Sequence, residues 1–192
     1  MKVILVNGGP HPDGCTNLAL EEVAKTLQEN DIETEIMWLG NKPISGCIGC
    51  AHCIHTDKKC FIDDSVNLFL EKAKEADGFV FGSPVHFAAA SGSITSFLDR
   101  VFYGKGSLFA GKACASVVSC RRGGASAAFD QLNKYALISN MYTVGSSYWN
   151  QIHGNTKEEA MQDLEGLQTM RNLGKNMAYL LKCMEVAKEK RS

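Results

Sequence analysis

Residues 2–17 read Lys2-Val3-Ile4-Leu5-Val6-Asn7-Gly8-Gly9-Pro10-His11-Pro12-Asp13-Gly14-Cys15-Thr16-Asn17. Lys2–Val6 is a short apolar run with β-branched side chains, the pattern of a strand buried on both faces. Asn7-Gly8-Gly9-Pro10 breaks it. Leu20, Val23, Ala24 and Leu27 then fall at i, i+3, i+4 and i+7, the apolar stripe of a helix. A buried strand that turns directly into an amphipathic helix opens an α/β fold.

The alternation continues. Ile32–Leu39 reads as a second strand with imperfect alternation, and Val66, Phe69, Leu70 and Ala73 form a helical stripe behind Asp63 or Asp64 as N-cap. Gly78–Phe81 is a third strand, stopped by Gly82-Ser83-Pro84, before a helix through Ile94, Phe97, Leu98 and Val101. Ala113–Val118 is a fourth, ending at Ser119-Cys120-Arg121-Arg122-Gly123-Gly124. A helix through Phe129, Leu132 and Ala136 precedes a fifth strand near Met141–Ser146. Thr156 with Glu159 is a capping box. It is expected to open a long C-terminal helix with the stripe Leu173, Met177, Leu180, Leu181 and Met184. Five strands alternating with helices imply a doubly wound parallel sheet covered on both faces. In the five-stranded order 2-1-3-4-5, ligands bind beyond the carboxyl ends of the strands. That singles out the loops after strands one, three and four: Asn7–Asn17, Ser83–Ser91 and Ser119–Ala125.

The 192 residues suffice for one well-buried core, so residues 1–192 are expected to form a single domain with a cysteine-rich insertion at about 44–62. A formal net charge of −1 gives no electrostatic footprint for nucleic acid. Neither a signal peptide nor an apolar stretch near the roughly 20 residues of a membrane span is visible, so a cytoplasmic location without membrane contact is expected. Of eight cysteines, four crowd into one segment, Cys47, Cys50, Cys53 and Cys60. In a reducing compartment such clustering points to a metal site.

The first loop enters a helix, whose N-terminus offers unpaired amides and partial positive charge; glycines allow close approach to an anion, and Thr16 or Asn17 adds a side-chain donor. The loop matches neither the Walker pattern nor G-x-G-x-x-G. It reads as a phosphate cradle or as an ordinary strand–helix turn with Thr16 as N-cap, and Asp13 is expected to point outward.

These residues resemble the NADPH-dependent FMN reductase and iron–sulfur flavoprotein family, which opens with a strand followed by N-G-S-P-R-x-x-G-N-T. Asn7-Gly8, Pro10, Gly14 and Thr16 are in register. Gly9 replaces the serine, His11 the arginine and Cys15 the asparagine. Ser83-Pro84-Val85-His86-Phe87 is similar to the family's S-P-V-Y followed by an aromatic residue, and Leu98-Asp99-Arg100, the Arg-Arg-Gly-Gly-Ala stretch and Tyr148-Trp149-Asn150…His153-Gly154 extend the likeness. The resemblance implies a flavodoxin-like fold that binds FMN. The site residues it implies are Gly9, His11, Gly14, Cys15, Thr16, Asn17, Pro84, Val85, His86, Phe87, Ser119, Arg121, Arg122, Gly123 and Gly124. Phe87 would cover part of the ring. His86 reads as a solvated loop residue or a proton handler. Arg121 and Arg122 read as a solvated pair or as cations raising the flavin potential. Tyr148 and Trp149 read as core or subunit contacts.

Cys47-x2-Cys50-x2-Cys53-x6-Cys60 matches in form the compact motif of the iron–sulfur flavoproteins at this position, and four thiolates suit a [4Fe–4S] cluster. Zinc, with His52 and His55 as alternative ligands, and an unliganded loop are the other readings. Cys15 apart, the scattered cysteines read as small buried hydrophobes. The expected function is an FMN-dependent oxidoreductase passing electrons from NAD(P)H or a reduced ferredoxin through the cluster to an acceptor, with no side chain acting as nucleophile or base. The family implies a homodimer or homotetramer. A flavodoxin-like electron carrier without turnover and a zinc-stabilised binding module are the rivals.

Overall fold

The structure, a computed structural model, describes residues 1–55 and 59–189; Thr56 to Lys58, within the expected insertion, lie outside the described residues. Strand β1 (Lys2–Asn7) leads to helix α1 (Cys15–Gln28), strand β2 (Glu33–Trp38) and a short helix α2 (His52–His55) in the cysteine segment. Helix α3 (Ser65–Ala73) starts at Asp64, whose carboxylate accepts from Val66 N. Strand β3 (Gly78–His86) turns back into β4 (Ala89–Ala90), and α4 (Gly92–Lys105) precedes β5 (Ala113–Cys120). Helix α5 (Ala125–Ile138), strands β6 (Tyr142–Thr143) and β7 (Gln151–His153), helix α6 (Lys157–Ala160) and the long α7 (Leu164–Glu189) follow.

Period-two alternation divides each central strand between two cores. Val3, Leu5, Val80, Ala115 and Val117 face α1 and α7, against Leu20, Val23, Leu173 and Met177. Ile4, Val6, Phe79, Phe81 and Val118 face α3, α4 and α5. The second core holds a phenylalanine cluster in which Phe69 meets Phe97 at 5.1 Å and Phe79 meets Phe109 at 5.0 Å between ring centroids, both edge to face. That is the favoured geometry for buried aromatic rings. No described helix is long and apolar enough to cross a membrane.

Among the described residues the sheet is parallel in its main body but has seven strands, not the expected five. Its order is β2-β1-β3-β5-β6, with β4 on β3 and β7 also on β5. The last position is split: β6 pairs with Ala113 and Cys114 at the start of β5, and β7 with Val118 to Cys120 at its end. Between them Gly145-Ser146-Ser147 offers no apolar side chains to bury, so the stretch expected as one strand leaves the ladder. Helix α7 holds it instead. Ser146 Oγ donates to Thr169 O at 2.7 Å, and Asn176 Nδ2 to Gly145 O at 2.9 Å.

Strand β3 also outruns its expected stop and pairs as far as Pro84↔Ser119. The proline is tolerated because of parity. Gly82 O accepts from Gly8 N, so Pro84, two residues on, also turns its backbone toward β1, whose pairing has ended at Gly82. Beyond it Phe87 and Ala88, both at positive φ (51° and 60°), make the two-residue hairpin to β4. Thr156 likewise caps only the one-turn α6. Its hydroxyl accepts from Glu159 N, while the long helix starts separately after Asp163, which accepts from Gly166 N at 2.9 Å.

Candidate functional site

A cleft of about 540 Å³ opens beyond the carboxyl ends of β1, β3, β5 and β7. This size and position are those of a small-molecule site in a doubly wound sheet. The first loop supplies one wall, Pro84–His86 a second, Ser119–Arg121 a third and Gly154–Glu158 a fourth.

The first loop is braced from within. Asn7, fully buried, accepts from Gly9 N at 2.8 Å through Oδ1 and donates to Asn17 Oδ1 at 3.3 Å. Trp38 Nε1 donates to Gly9 O at 2.9 Å. Helix α1 is capped at Gly14 with no side-chain cap, and its first turn carries no acidic residue. Thr16 therefore is not the N-cap that an ordinary turn would use. Gly14 has no side chain to cap the orphan amides of the first turn, whose partial positive charge lies at the cleft wall that Gly14, Cys15 and Thr16 form. Thr16 Oγ1 instead lies 2.8 Å from Ser119 Oγ, joining the loops after β1 and β5. Two hydroxyls in one shared bond consume one proton, so the pair retains one O–H donor for a ligand.

Gly9, His11, Gly14, Cys15, Thr16, Pro84, Val85, His86, Ser119 and Arg121 all line this cleft. Five expected residues do not. Asn17 points inward, its amide donating to Glu21 Oε1 at 2.7 Å. Phe87 stands fully exposed at the hairpin tip. Arg122 and Gly123 are exposed beyond the cleft wall. Gly124 caps α5 in the left-handed region and packs on the hairpin, where a Cβ would lie 2.7 Å from Ala88 Cα.

The fourth wall, Gly154–Glu158, was not among the expected residues. Its signal is the Gly154-Asn155 break, which ends a strand once the fifth position is placed at Gln151–His153. Gly154 N donates to Cys120 O at 3.0 Å, and a Cβ on Gly154 would sit 2.4 Å from Ala160 N, so α6 can close on the cleft only over a glycine. Lys157 pairs with Asp13 across the mouth, which raises the lysine's pKa and neutralises the loop's one carboxylate. Glu158 is held below the usual carboxylate range by its own backbone amide, then by Thr156. Burial pushes the Cys15 and Cys120 thiols up; neither is an activated nucleophile.

The four clustered cysteines ring a second, much smaller hollow of about 20 Å³ with Arg100 and Tyr103. Cys47 and Cys50 are exposed, Cys53 and Cys60 half-buried. Asn67 clamps the Cys60 backbone, accepting from its N–H at 2.8 Å and donating to its carbonyl at 3.0 Å. Arg100 Nε lies 3.4 Å from Cys60 Sγ. The donor set, four thiols with an N–H aimed at one sulfur, fits thiolate-bound iron. Among the described residues no three such side chains converge on a single metal position, and in a [4Fe–4S] cube each thiolate would bind a different iron.

Residues 1–156 match the profile of the NADPH-dependent FMN reductases. The chain belongs to that family. It is a flavoprotein oxidoreductase of flavodoxin-like fold, and FMN is the cofactor. Among curated relatives, an iron–sulfur flavoprotein of Methanocaldococcus jannaschii is 34% identical over 96% of this chain and 100% of its own. One of Methanosarcina thermophila is 27% identical over 99% and 100%. In fold, the family member is similar to a flavodoxin from the domain Archaea, with a TM-score of 0.65 at 17% identity, covering 95% of this chain and 99% of that one. FMN fits the cleft described: uncapped helix amides and a hydroxyl pair for a phosphate lie on one side, and the Pro84–His86 backbone on another.

Proposed function

We propose that this family member passes electrons from NAD(P)H or a reduced ferredoxin, by way of FMN and a [4Fe–4S] cluster on Cys47, Cys50, Cys53 and Cys60, to an acceptor. The observation that carries the reading is the convergence of the uncapped α1 N-terminus, the Thr16–Ser119 hydroxyl pair and Arg121 on one cleft. Support for the cluster comes from the ring of four cysteines and from the names of the curated relatives.

Bound FMN supplies the exchange between two-electron and one-electron transfer, and the protein supplies position and field. The first-turn amides of α1 and the Thr16–Ser119 pair would hold the FMN phosphate. Residues Pro84 to His86 would line the flavin, and Arg121 would offer it positive charge. The Asp13–Lys157 pair ties the first loop to the wall of α6 and keeps a bare carboxylate from the phosphate. A homodimer or homotetramer is part of the proposal. Leu137, Ile138, Tyr148 and Trp149 are more than half exposed at one edge of the sheet, an apolar patch that a subunit contact would cover.

The test is a comparison of wild type with Cys50→Ser. The hydroxyl is a poor ligand for iron, so the variant should keep FMN and two-electron quinone reduction while losing iron and one-electron transfer. Unchanged one-electron transfer in the variant would remove the cluster from the path.

A further inference from the structure

Arg100 is an unusual residue to bury. It lies on α4 with its side chain 1% exposed, opposite a single carboxylate, Asp64. Taking a guanidinium out of water costs several kcal/mol unless its donors are met. Here every N–H has an acceptor. Nη1 donates to Asp64 Oδ2 at 2.6 Å and Ser45 O at 3.3 Å, and Nη2 to Ile62 O at 2.7 Å and Asp64 Oδ1 at 2.9 Å. The fifth donor, Nε–H, is directed at Cys60 Sγ at 3.4 Å. Ser45 and Ile62 flank the cysteine segment, so one side chain fixes both of its ends and one of its sulfurs. Asn67 independently fixes the Cys60 backbone. Cys60 is thus held in place from two elements, α3 and α4, whereas Cys47 and Cys50 are exposed on the loop.

We propose that Arg100 is a positioning residue that presents Cys60 as the fixed ligand of the cluster and, through its Nε–H···S bond, raises the cluster's reduction potential. The inference rests on the cluster reading above. A donor to a ligating sulfur withdraws electron density and favours the more negative, reduced cluster; hydrogen bonds to sulfur are among the main levers on such potentials. The nearby Asp64 makes the loss of Arg100 doubly felt, since an unbalanced carboxylate would then disfavour reduction.

The experiment uses full-length protein reconstituted anaerobically with iron and sulfide, with the arginines labelled at 15Nε. Pulsed EPR of the reduced wild type should show a 15N coupling to the cluster, absent from Arg100→Lys and Arg100→Gln. In a redox titration Arg100→Gln should shift the reduction equilibrium at least tenfold toward the oxidised form, or 59 mV for a one-electron couple. Arg100→Lys, which keeps the charge without the Nε donor, should shift it less and in the same direction. An iron-loaded wild type without the coupling, or variants with the wild-type potential, overturns the proposal and leaves the cluster reading standing. A wild type that takes up no iron or sulfide overturns both. Should the variants not fold or not hold iron, the wild-type coupling alone decides.

Discussion

The Thr16–Ser119 pair allows the phosphate cradle to be tested without disturbing the fold. Both residues are at least 95% buried, and their hydroxyls meet at 2.8 Å across two loops. Thr16→Val keeps the shape and deletes one oxygen; Ser119→Ala deletes the other. If the pair presents one remaining O–H to the phosphate, either deletion removes that donor or its orientation. A hydrogen bond to a charged group is worth about 1.5–3 kcal/mol, so each single variant should bind FMN roughly 10- to 150-fold more weakly. The double variant should be little worse than the singles, because one donor is lost only once. Riboflavin, lacking the phosphate, should bind all four proteins alike. Isothermal titration calorimetry with both ligands, alongside urea unfolding of the apoproteins, separates binding from stability. Fully additive losses, or equal losses for FMN and riboflavin, would refute a shared phosphate donor.

Three further outcomes follow from the same geometry. Arg121→Ala should lower the flavin midpoint potential by about 20 mV, the equivalent of ~1 kcal/mol for a solvent-screened charge, while Arg122→Ala leaves it unchanged; spectroelectrochemistry decides. Gly154→Ala forces a Cβ into Ala160 N and should cost about 1–3 kcal/mol in urea unfolding as well as weakening FMN binding, because α6 is the displaced wall. Burial pushes the Cys114 thiol up to about 12. The unfolded chain therefore loses this proton first, and stability should fall by about 1.4 kcal/mol per pH unit from roughly pH 9 upward, a slope that Cys114→Ala flattens.

Much of this was legible in the sequence because central parallel strands carry their own signal. Val3–Val6 and, Ser116 apart, Ala113–Val118 are apolar on both faces because two layers of helices cover them, and that burial admits few other readings. The edge of the sheet was not legible, for a physical reason. An edge strand pairs on one side only, so Gly145-Ser146-Ser147 can leave the ladder and be held by α7 side chains far along the chain. With that strand misplaced, the Gly154–Glu158 wall was hidden too. Pro84 misled for a similar reason, since its effect depends on whether a neighbour stands on its backbone side. At the site, the glycine and threonine pattern located the first loop, but Asn17 was drawn inward by Asn7 and Glu21, contacts that no spacing rule reveals. Arg100 lay in a recognised stretch, yet its five acceptors come from two other segments, Ser45 and Cys60–Asp64, and only the folded chain assembles them.

The most direct test of the account is to purify and reconstitute the protein under strict anaerobiosis and quantify flavin, iron and acid-labile sulfide in one sample. About one FMN, four irons and four sulfides per chain are expected, with flavin bands over a broad iron–sulfur shoulder. FMN without iron or sulfide would contradict the proposed electron path, and colourless protein would contradict the cleft as well.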